Sequence, residues 1–309
     1  MKSLFMYNPV SGKGKILKKI KYIKNELEKV FDLVEIYETR SALDTIEKAK
    51  AVCGEYDVLV FSGGDGTFND VACGIASCDE RPILGYIPSG TVNDIAKNLK
   101  ISKNIKKAVK VITEKNIINH DVGMINDKYF IYVVGMGTFT EVSYRTKQKT
   151  KRILGKLAYF FDGFKDFFSP KLSKVIIKGK DVDFEGVVPM VLVLNSVSAG
   201  GINFNMRGHL NDGVFDILAI KNGFFKGMLN LVKTIVFAFR KKKQNSYVSY
   251  FSSPEFEIIC DKDITWCVDG EEGPKGNVKI KNLHSHLKIY APKLKRDKEW
   301  ELLQENIKD

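Results

Sequence analysis

Three stretches of this sequence set glycines, a hydroxyl and a carboxylate directly behind an apolar run, a grouping suited to holding a polyphosphate. In Val58-Leu59-Val60-Phe61-Ser62-Gly63-Gly64-Asp65-Gly66-Thr67, Gly63, Gly64 and Gly66 lack a Cβ, so the backbone can turn tightly and bring N–H groups against an anion. Asp65 offers a charge for Mg²⁺ or its waters. Thr67 is placed to cap a helix starting at Phe68, whose unpaired N–H groups would face the same anion. Pro88-Ser89-Gly90-Thr91-Val92-Asn93-Asp94 repeats the arrangement behind the apolar residues 83–87. Tyr7-Asn8-Pro9-Val10-Ser11-Gly12-Lys13-Gly14-Lys15 does so behind residues 4–7. This last turn is not a Walker A loop, because Ile16 stands where that loop needs a Ser or Thr for Mg²⁺ and no glycine precedes Gly14 by five residues.

A fourth stretch, Ile264-Thr265-Trp266-Cys267-Val268-Asp269-Gly270-Glu271-Glu272-Gly273, ends another apolar run in carboxylates. Phosphoryl transfer needs a phosphate cradle, a divalent ion and a group that takes the proton of the attacking hydroxyl, and this stretch offers the third. Taken alone it also reads as an acidic hairpin turn. Glu271 and Glu272 point to opposite sides of an extended segment, so one of them can face a site. His284 and His286 lie on one side of a late strand with no Cys or third His beside them, which argues against a metal pair, and His120 reads as a domain-junction residue.

These residues need elements to carry them. Over residues 1–99, apolar runs at 4–7, 33–37 and 58–61 alternate with helical patterns at 16–30 and 42–52, the grammar of a parallel sheet with helices on its faces. Ser41 followed by Asp44 marks the start of the second helix, and residues 105–112 add another. Beyond Asn116 the texture changes. Residues 121–125 and 128–133 flank Asn126-Asp127 as a two-residue hairpin. Short strands are expected at 172–177, 187–194, 214–220, 247–251, 256–259, 264–268, 278–280 and 287–290, an antiparallel sandwich or barrel. Two helical inserts interrupt this region. Residues 140–168 open with Arg145, Lys147, Lys149, Lys151 and Arg152 and turn aromatic, and residues 224–243 end in Arg240-Lys241-Lys242-Lys243. Apolar aromatic faces bordered by cations suit a helix lying in a membrane interface. They equally suit helices covering a core.

At 309 residues the chain has room for two domains. Its 49 Lys and Arg against 37 Asp and Glu give a formal charge of +12, which draws it toward polyanions. The cations sit beside apolar helical patterns and not among sheet aromatics for base stacking, so an anionic membrane face is expected and nucleic acid is not. No uncharged apolar stretch reaches the roughly 20 residues of a membrane span. Five cysteines without a C-x-x-C pair, and no signal peptide, point to a reducing cytosol.

In order and context, Asn8-Pro9-Val10-Ser11-Gly12, Ser62-Gly63-Gly64-Asp65-Gly66-Thr67, the Pro88 to Asp94 turn and Asp269-Gly270-Glu271 resemble the diacylglycerol kinase catalytic family, and within it the bacterial soluble lipid kinases related to diacylglycerol and sphingosine kinases. The likeness runs from Met1 to about Pro292. The glycine motif alone is shared with NAD kinases and phosphofructokinases. The second turn and the late Asp-Gly-Glu narrow it.

The resemblance implies an α/β nucleotide-binding domain over 1–118 with a parallel sheet and flanking helices. It adds an antiparallel β-sandwich lipid-substrate domain with helical inserts over 119–292, and a helical tail over 293–309 packing back on the first domain. The active site would lie in the cleft between the domains. Asn8, Ser11, Gly12, Thr39, Gly64, Gly66, Thr67 and Thr91 would contact ATP, together with Pro9, Gly63, Ser89, Gly90 and Asn93 of the same turns. Asp65, Asp94 and Asp121 would organise the catalytic Mg²⁺, in part through water, and Glu271 would take the proton from the lipid hydroxyl. The segment from His209 to Val214 resembles the family's structural Mg²⁺ loop, with the Asp212 carboxylate and the carbonyls of His209 and Val214 as ligands; it also reads as a plain Asn-Asp-Gly turn. The implied enzyme is an ATP-dependent lipid kinase of phospholipid metabolism, cytoplasmic and held peripherally on the inner leaflet. A homodimer stays open, since an edge strand of the second domain is free to pair between copies. The rival readings are an NAD kinase-like soluble phosphotransferase and a non-catalytic membrane-bound nucleotide sensor.

Overall fold

The computed structural model describes residues 1–14, 16–137, 172–195, 198–199, 202–203, 210–221 and 248–293. The expected helical inserts at 140–168 and 224–243, His209, and the tail beyond Lys293 lie outside these residues. The chain divides into two compact units. One holds Met1–Asn119 and takes the chain back from Leu287; the other is His120–His286.

The first unit is an α/β layer structure. Strands β1 (Lys2–Tyr7), β2 (Leu33–Glu38), β3 (Val58–Gly63) and β4 (Ile83–Pro88) lie in the order β2-β1-β3-β4. All are parallel, with Tyr7 opposite both Glu38 and Ser62, and Gly63 opposite Pro88. Every residue of β3 is buried, as expected of a central strand covered on both faces. The helices are α1 (Ile20–Leu27), α2 (Ala42–Ala51), α3 (Asp65–Ala76), α4 (Asp94–Asn98) and α5 (Ile105–Thr113). Ser41 caps α2 as its sequence indicates, its Oγ accepting the Asp44 N–H at 3.1 Å. Helices α2 and α3 approach closely at Gly74, where a Cβ would stand 2.6 Å from the Ile46 carbonyl oxygen.

Two expectations are corrected here. The helix expected over 16–30 is shorter: Leu17–Lys19 form a 3₁₀ turn, and the N–H groups of Val30 and Phe31 both return to the Leu27 carbonyl, ending α1 so that Phe31 is buried. Thr67 does not cap a helix at Phe68. Helix α3 already begins at Asp65 behind an extended Gly64, so Thr67 sits inside the first turn. There its side chain covers Gly63, at which a Cβ would fall 2.2 Å from the Thr67 Cβ.

The second unit is antiparallel. Its strands are β5 (Ile117–Ile125, entering from the first unit), β6 (Lys128–Phe130), β7 (Val133–Gly137), β8 (Ser173–Gly179), β9 (Val182–Val188), β10 (Met190–Leu194) and the two-residue pair β11 (Ser198–Ala199) and β12 (Ile202–Asn203). They continue with β13 (Phe215–Ile220), β14 (Val248–Ser253), β15 (Glu255–Cys260), β16 (Thr265–Val268), β17 (Glu271–Lys275) and β18 (Val278–Tyr290, which passes into the first unit at Leu287). One sheet runs β14-β13-β10-β7-β16-β17; in the other, β18, β15, β8 and β9 follow one another and β5 pairs with β18. Alternate side chains of both sheets meet in one apolar core that includes Phe130, Val191, Phe215, Ile258 and Trp266. The strands expected at 278–280 and 287–290 are one strand, in which Ser285 takes φ 52°. The hairpin around Asn126-Asp127 forms as expected, Ile125 opposite Lys128. Its second strand stops at Phe130 and not at 133, because the Asp269 carboxylate takes the next three N–H groups.

Candidate active site

In the first unit, the register of the parallel sheet sets the ends of β1, β3 and β4 side by side, so three glycine turns leave from neighbouring strand ends. Open α/β sheets hold their ligands at such carboxyl ends. The turns are stitched by hydroxyls: Ser62 Oγ donates to Ser89 Oγ at 3.2 Å, and Ser89 Oγ donates to Ser11 Oγ at 2.9 Å. The backbone adds Asn8 N–H to the Ser62 carbonyl at 3.2 Å and Ser89 N–H to the Gly63 carbonyl at 2.8 Å. Thr39, at the end of β2, donates to the Tyr7 carbonyl through its N–H at 2.9 Å and its Oγ1 at 3.3 Å. The Asn8 side chain folds the first turn by accepting the Val10 N–H at 3.0 Å.

Gly64 and Gly90 make the closest approach. A Cβ on Gly90 would lie 2.5 Å from the Gly64 Cα and 2.7 Å from Asn93 Oδ1, so that turn has no room for a side chain, and a Cβ on Gly64 would press to 3.2 Å from the Gly90 Cα. Asn93 adopts a left-handed φ of 53° and donates its Nδ2 to the Gly90 carbonyl at 2.8 Å. Its Oδ1 is left buried with no hydrogen-bond partner, an acceptor in reserve for a ligand or water. Lys103 Nζ donates to the Thr91 carbonyl at 2.9 Å. Gly66 differs from its neighbours, because a Cβ there would meet nothing within 4 Å.

Asp65 opens α3, and its Oδ1 accepts the Ile95 N–H at 3.0 Å, linking the second and third turns. Burial raises its carboxyl above the usual range, and the backbone N–H groups of Ile95, Asp94 and Asn93 pull it partway back. Asp94 is buried at the start of α4 and pairs with Lys97 at 2.7 Å. Magnesium is commonly held by one or two carboxylates, with waters and substrate phosphates completing its shell. Asp65 and Asp94 fit that pattern. Among the described residues, no cluster of three or more His, Cys, Asp or Glu side chains gathers to hold a metal by itself.

In the second unit, Asp121 is fully buried on β5 and both carboxylate oxygens meet protein donors. Oδ1 accepts the Ser285 N–H at 2.6 Å and lies 3.0 Å from His284 Nδ1; Oδ2 accepts the Gly213 N–H at 2.7 Å. The Asp121 N–H donates to the Leu210 carbonyl at 2.7 Å. Asp121 thus anchors the loop that contains Asp212, whose Oδ1 accepts the Val214 N–H at 3.3 Å. His120, pushed below the ordinary histidine range by burial, rests its Nδ1 on the Asp121 carbonyl at 2.6 Å.

Glu271 is exposed and is the first residue of β17. The turn before it, Asp269-Gly270, has φ of 49° and 92°, the two positive values of a tight I′ hairpin. Val268 pairs with Glu271 and Cys267 with Glu272, so the two carboxylates leave opposite faces. Asp269 itself is buried. Its Oδ2 accepts the Ile131 N–H at 2.6 Å, and its Oδ1 accepts those of Tyr132 at 3.0 Å and Val133 at 2.9 Å. Burial pushes its carboxyl up to about 6 against the pull of these donors, with Glu271 adding a smaller repulsion.

The first unit therefore gathers Asn8, Ser11, Thr39, Gly63, Gly64, Asp65, Thr67, Ser89, Gly90, Thr91, Asn93 and Asp94 at the ends of its strands, with Pro9, Gly12 and Gly66 in the same turns. The second carries Asp121, Asp212, Val214 and Glu271. Sequence reasoning missed what His284, Asn195 and Asp269 do. Their partners lie up to 163 residues away, and no local spacing announces them. No described helix is long and apolar enough to cross a membrane.

Residues 2–125 match the model of the diacylglycerol kinase catalytic domain. A diacylglycerol kinase of Staphylococcus epidermidis is 34% identical over 291 residues, covering 93% of this chain and 91% of that protein. The crystal structure of a diacylglycerol kinase from Bacillus anthracis strain Sterne superposes with a TM-score of 0.76 at 22% identity, over 94% of this chain and 97% of the other, a likeness of fold. The yeast NADH kinase, solved with NADH, superposes with a TM-score of 0.50 at 11% identity over 95% and 84%, again a likeness of fold.

Proposed function

Because the chain belongs to the diacylglycerol kinase family, we propose that this kinase transfers the γ-phosphoryl group of ATP to a hydroxyl of diacylglycerol or a related membrane lipid alcohol, giving phosphatidic acid or its equivalent. The observation that carries the reading is the convergence of three glycine turns at the carboxyl ends of β1, β3 and β4, tied through Ser11, Ser89 and Ser62. Backbone N–H groups and hydroxyls of these turns would hold the triphosphate. Asp65 and Asp94 would hold Mg²⁺, which neutralises charge on the transferring phosphoryl group; Asp121 does not take the expected water-mediated part, because its side chain is fully buried and both carboxylate oxygens already meet protein donors. Glu271 would accept the hydroxyl proton as the lipid oxygen attacks. The Asp212 loop would hold a second, structural Mg²⁺. The basic aromatic stretches at 140–168 and 224–243 would dock the enzyme on an anionic cytoplasmic leaflet.

Purified full-length protein, supplied with Mg²⁺ and ATP, is expected to phosphorylate diacylglycerol in mixed micelles and to leave NAD unmodified. Failure on every lipid alcohol tested would overturn the proposal, and transfer to NAD would replace it.

Gly66 gives a second check, because the site has room for a methyl group that the bound nucleotide would not leave. Gly66→Ala is expected to keep or raise thermal stability, since alanine is favoured in a helix by about 1 kcal/mol. The same change should weaken ATP binding about tenfold or more, measured by titration calorimetry. Unchanged ATP affinity would remove Gly66 from the nucleotide site.

A further inference from the structure

A continuous run of buried polar contacts crosses the second unit from Asp121 to the hairpin of Glu271. Asn195, buried at the end of β10, donates its Nδ2 to two carbonyls, those of Asp121 and Ile131, each at 3.0 Å. Its N–H donates to the Tyr132 carbonyl at 3.0 Å. The segment from Ile131 to Val133 then meets Asp269 in five hydrogen bonds. Three are the N–H groups on its carboxylate. The others join the Tyr132 hydroxyl to the Asp269 carbonyl at 2.9 Å and the Asp269 N–H to the Val133 carbonyl at 2.8 Å.

We propose that Asp269 and Asn195 are positioning residues: they fix the hairpin that presents Glu271 and tie it to Asp121 on β5. The inference rests on the reading of Glu271 as the base. A two-residue turn with both φ values positive has little of its own to hold the direction of the exposed Glu271 beyond it, and Glu271 lies two residues from the clamp. A carboxylate is the side chain suited to the task, because it has only acceptors and meets three converging donors. Asparagine keeps the shape but turns an N–H toward the Ile131 N–H. Asn195 is suited by its paired amide donors, which bridge carbonyls of Asp121 and Ile131. The two residues form one device, since each acts on the segment from Ile131 to Val133 from a different side.

The test uses the full chain. Asp269→Asn is expected to lower kcat about 100-fold, the scale of a misplacement of about 1 Å, with KM for ATP held within about twofold. In a Glu271→Gln background the same change should cost nothing further, because a residue that acts through Glu271 has nothing left to position. Hydrogen exchange should quicken at residues 131–133 and 270–272 while β8 and β9 keep their protection. Asn195→Ala, which leaves the Asp269 clamp chemically intact, should reproduce the exchange pattern with a smaller kcat loss. An equal kcat loss in both backgrounds, or unchanged exchange at 270–272, overturns the proposal. Absence of lipid phosphorylation by the unmodified protein would instead sink the kinase reading, and the exchange measurement would still decide whether the clamp holds the hairpin.

Discussion

Glu271→Gln is expected to lower kcat for lipid phosphorylation by about 10³-fold, to a residual rate that remains measurable, at unchanged folding and ATP affinity. General-base groups typically contribute 10²- to 10⁴-fold. The side chain is exposed at the start of β17, so exchanging its carboxylate for an amide of the same size removes basicity and little packing. The hairpin itself is held by Asp269 and not by Glu271. Thermal unfolding and nucleotide titration should therefore match the unmodified protein while turnover falls to that residual rate. Activity within a few-fold of normal would place the base elsewhere, with Glu272 on the opposite strand face as the next residue to replace.

Asp65→Asn is expected to lower turnover by at least about 10²-fold, the scale of removing one preorganised electrostatic group, and to shift the Mg²⁺ requirement upward by about tenfold. Stability should not fall. Burial raises the Asp65 carboxyl above its unfolded value, so the native state favours the protonated form. That contribution is present at low pH and is lost as pH rises through the folded value. At neutral pH the ionised group therefore works against folding, and a neutral amide removes the cost. Asparagine also keeps an acceptor for the Ile95 N–H that now reaches Asp65 at 3.0 Å. Activity, a magnesium titration and a melting curve together separate this from simple unfolding. An ordinary magnesium titration would show that Asp65 does not serve the metal.

Much of this was readable along the chain. Alternating apolar runs and helical patterns placed the four parallel strands, because a strand buried on both faces must be apolar throughout, as residues 58–61 are. The glycine turns were found by composition, since only glycine fits where backbones touch, as Gly64 and Gly90 do. Helix ends were less legible. Thr67 has the chemistry of a cap, yet the helix begins two residues before it. The hairpin at Asn126-Asp127 announced its turn, but not the length of its second strand, which a carboxylate 138 residues downstream cuts short.

By itself the sequence determined the alternating strands and helices of the first unit, the three phosphate-type turns and the motif carrying Glu271, because these follow from local rules of periodicity, glycine and turn chemistry. Tertiary structure alone decided that Ser11, Ser62 and Ser89 form one chain of hydroxyls, that His284 and Ser285 secure Asp121, and that Asn195 and Asp269 clamp a common segment. Each of these satisfies a buried polar group with a partner far away in the chain, and a hydrogen bond across such a distance leaves no periodic trace in the order of residues.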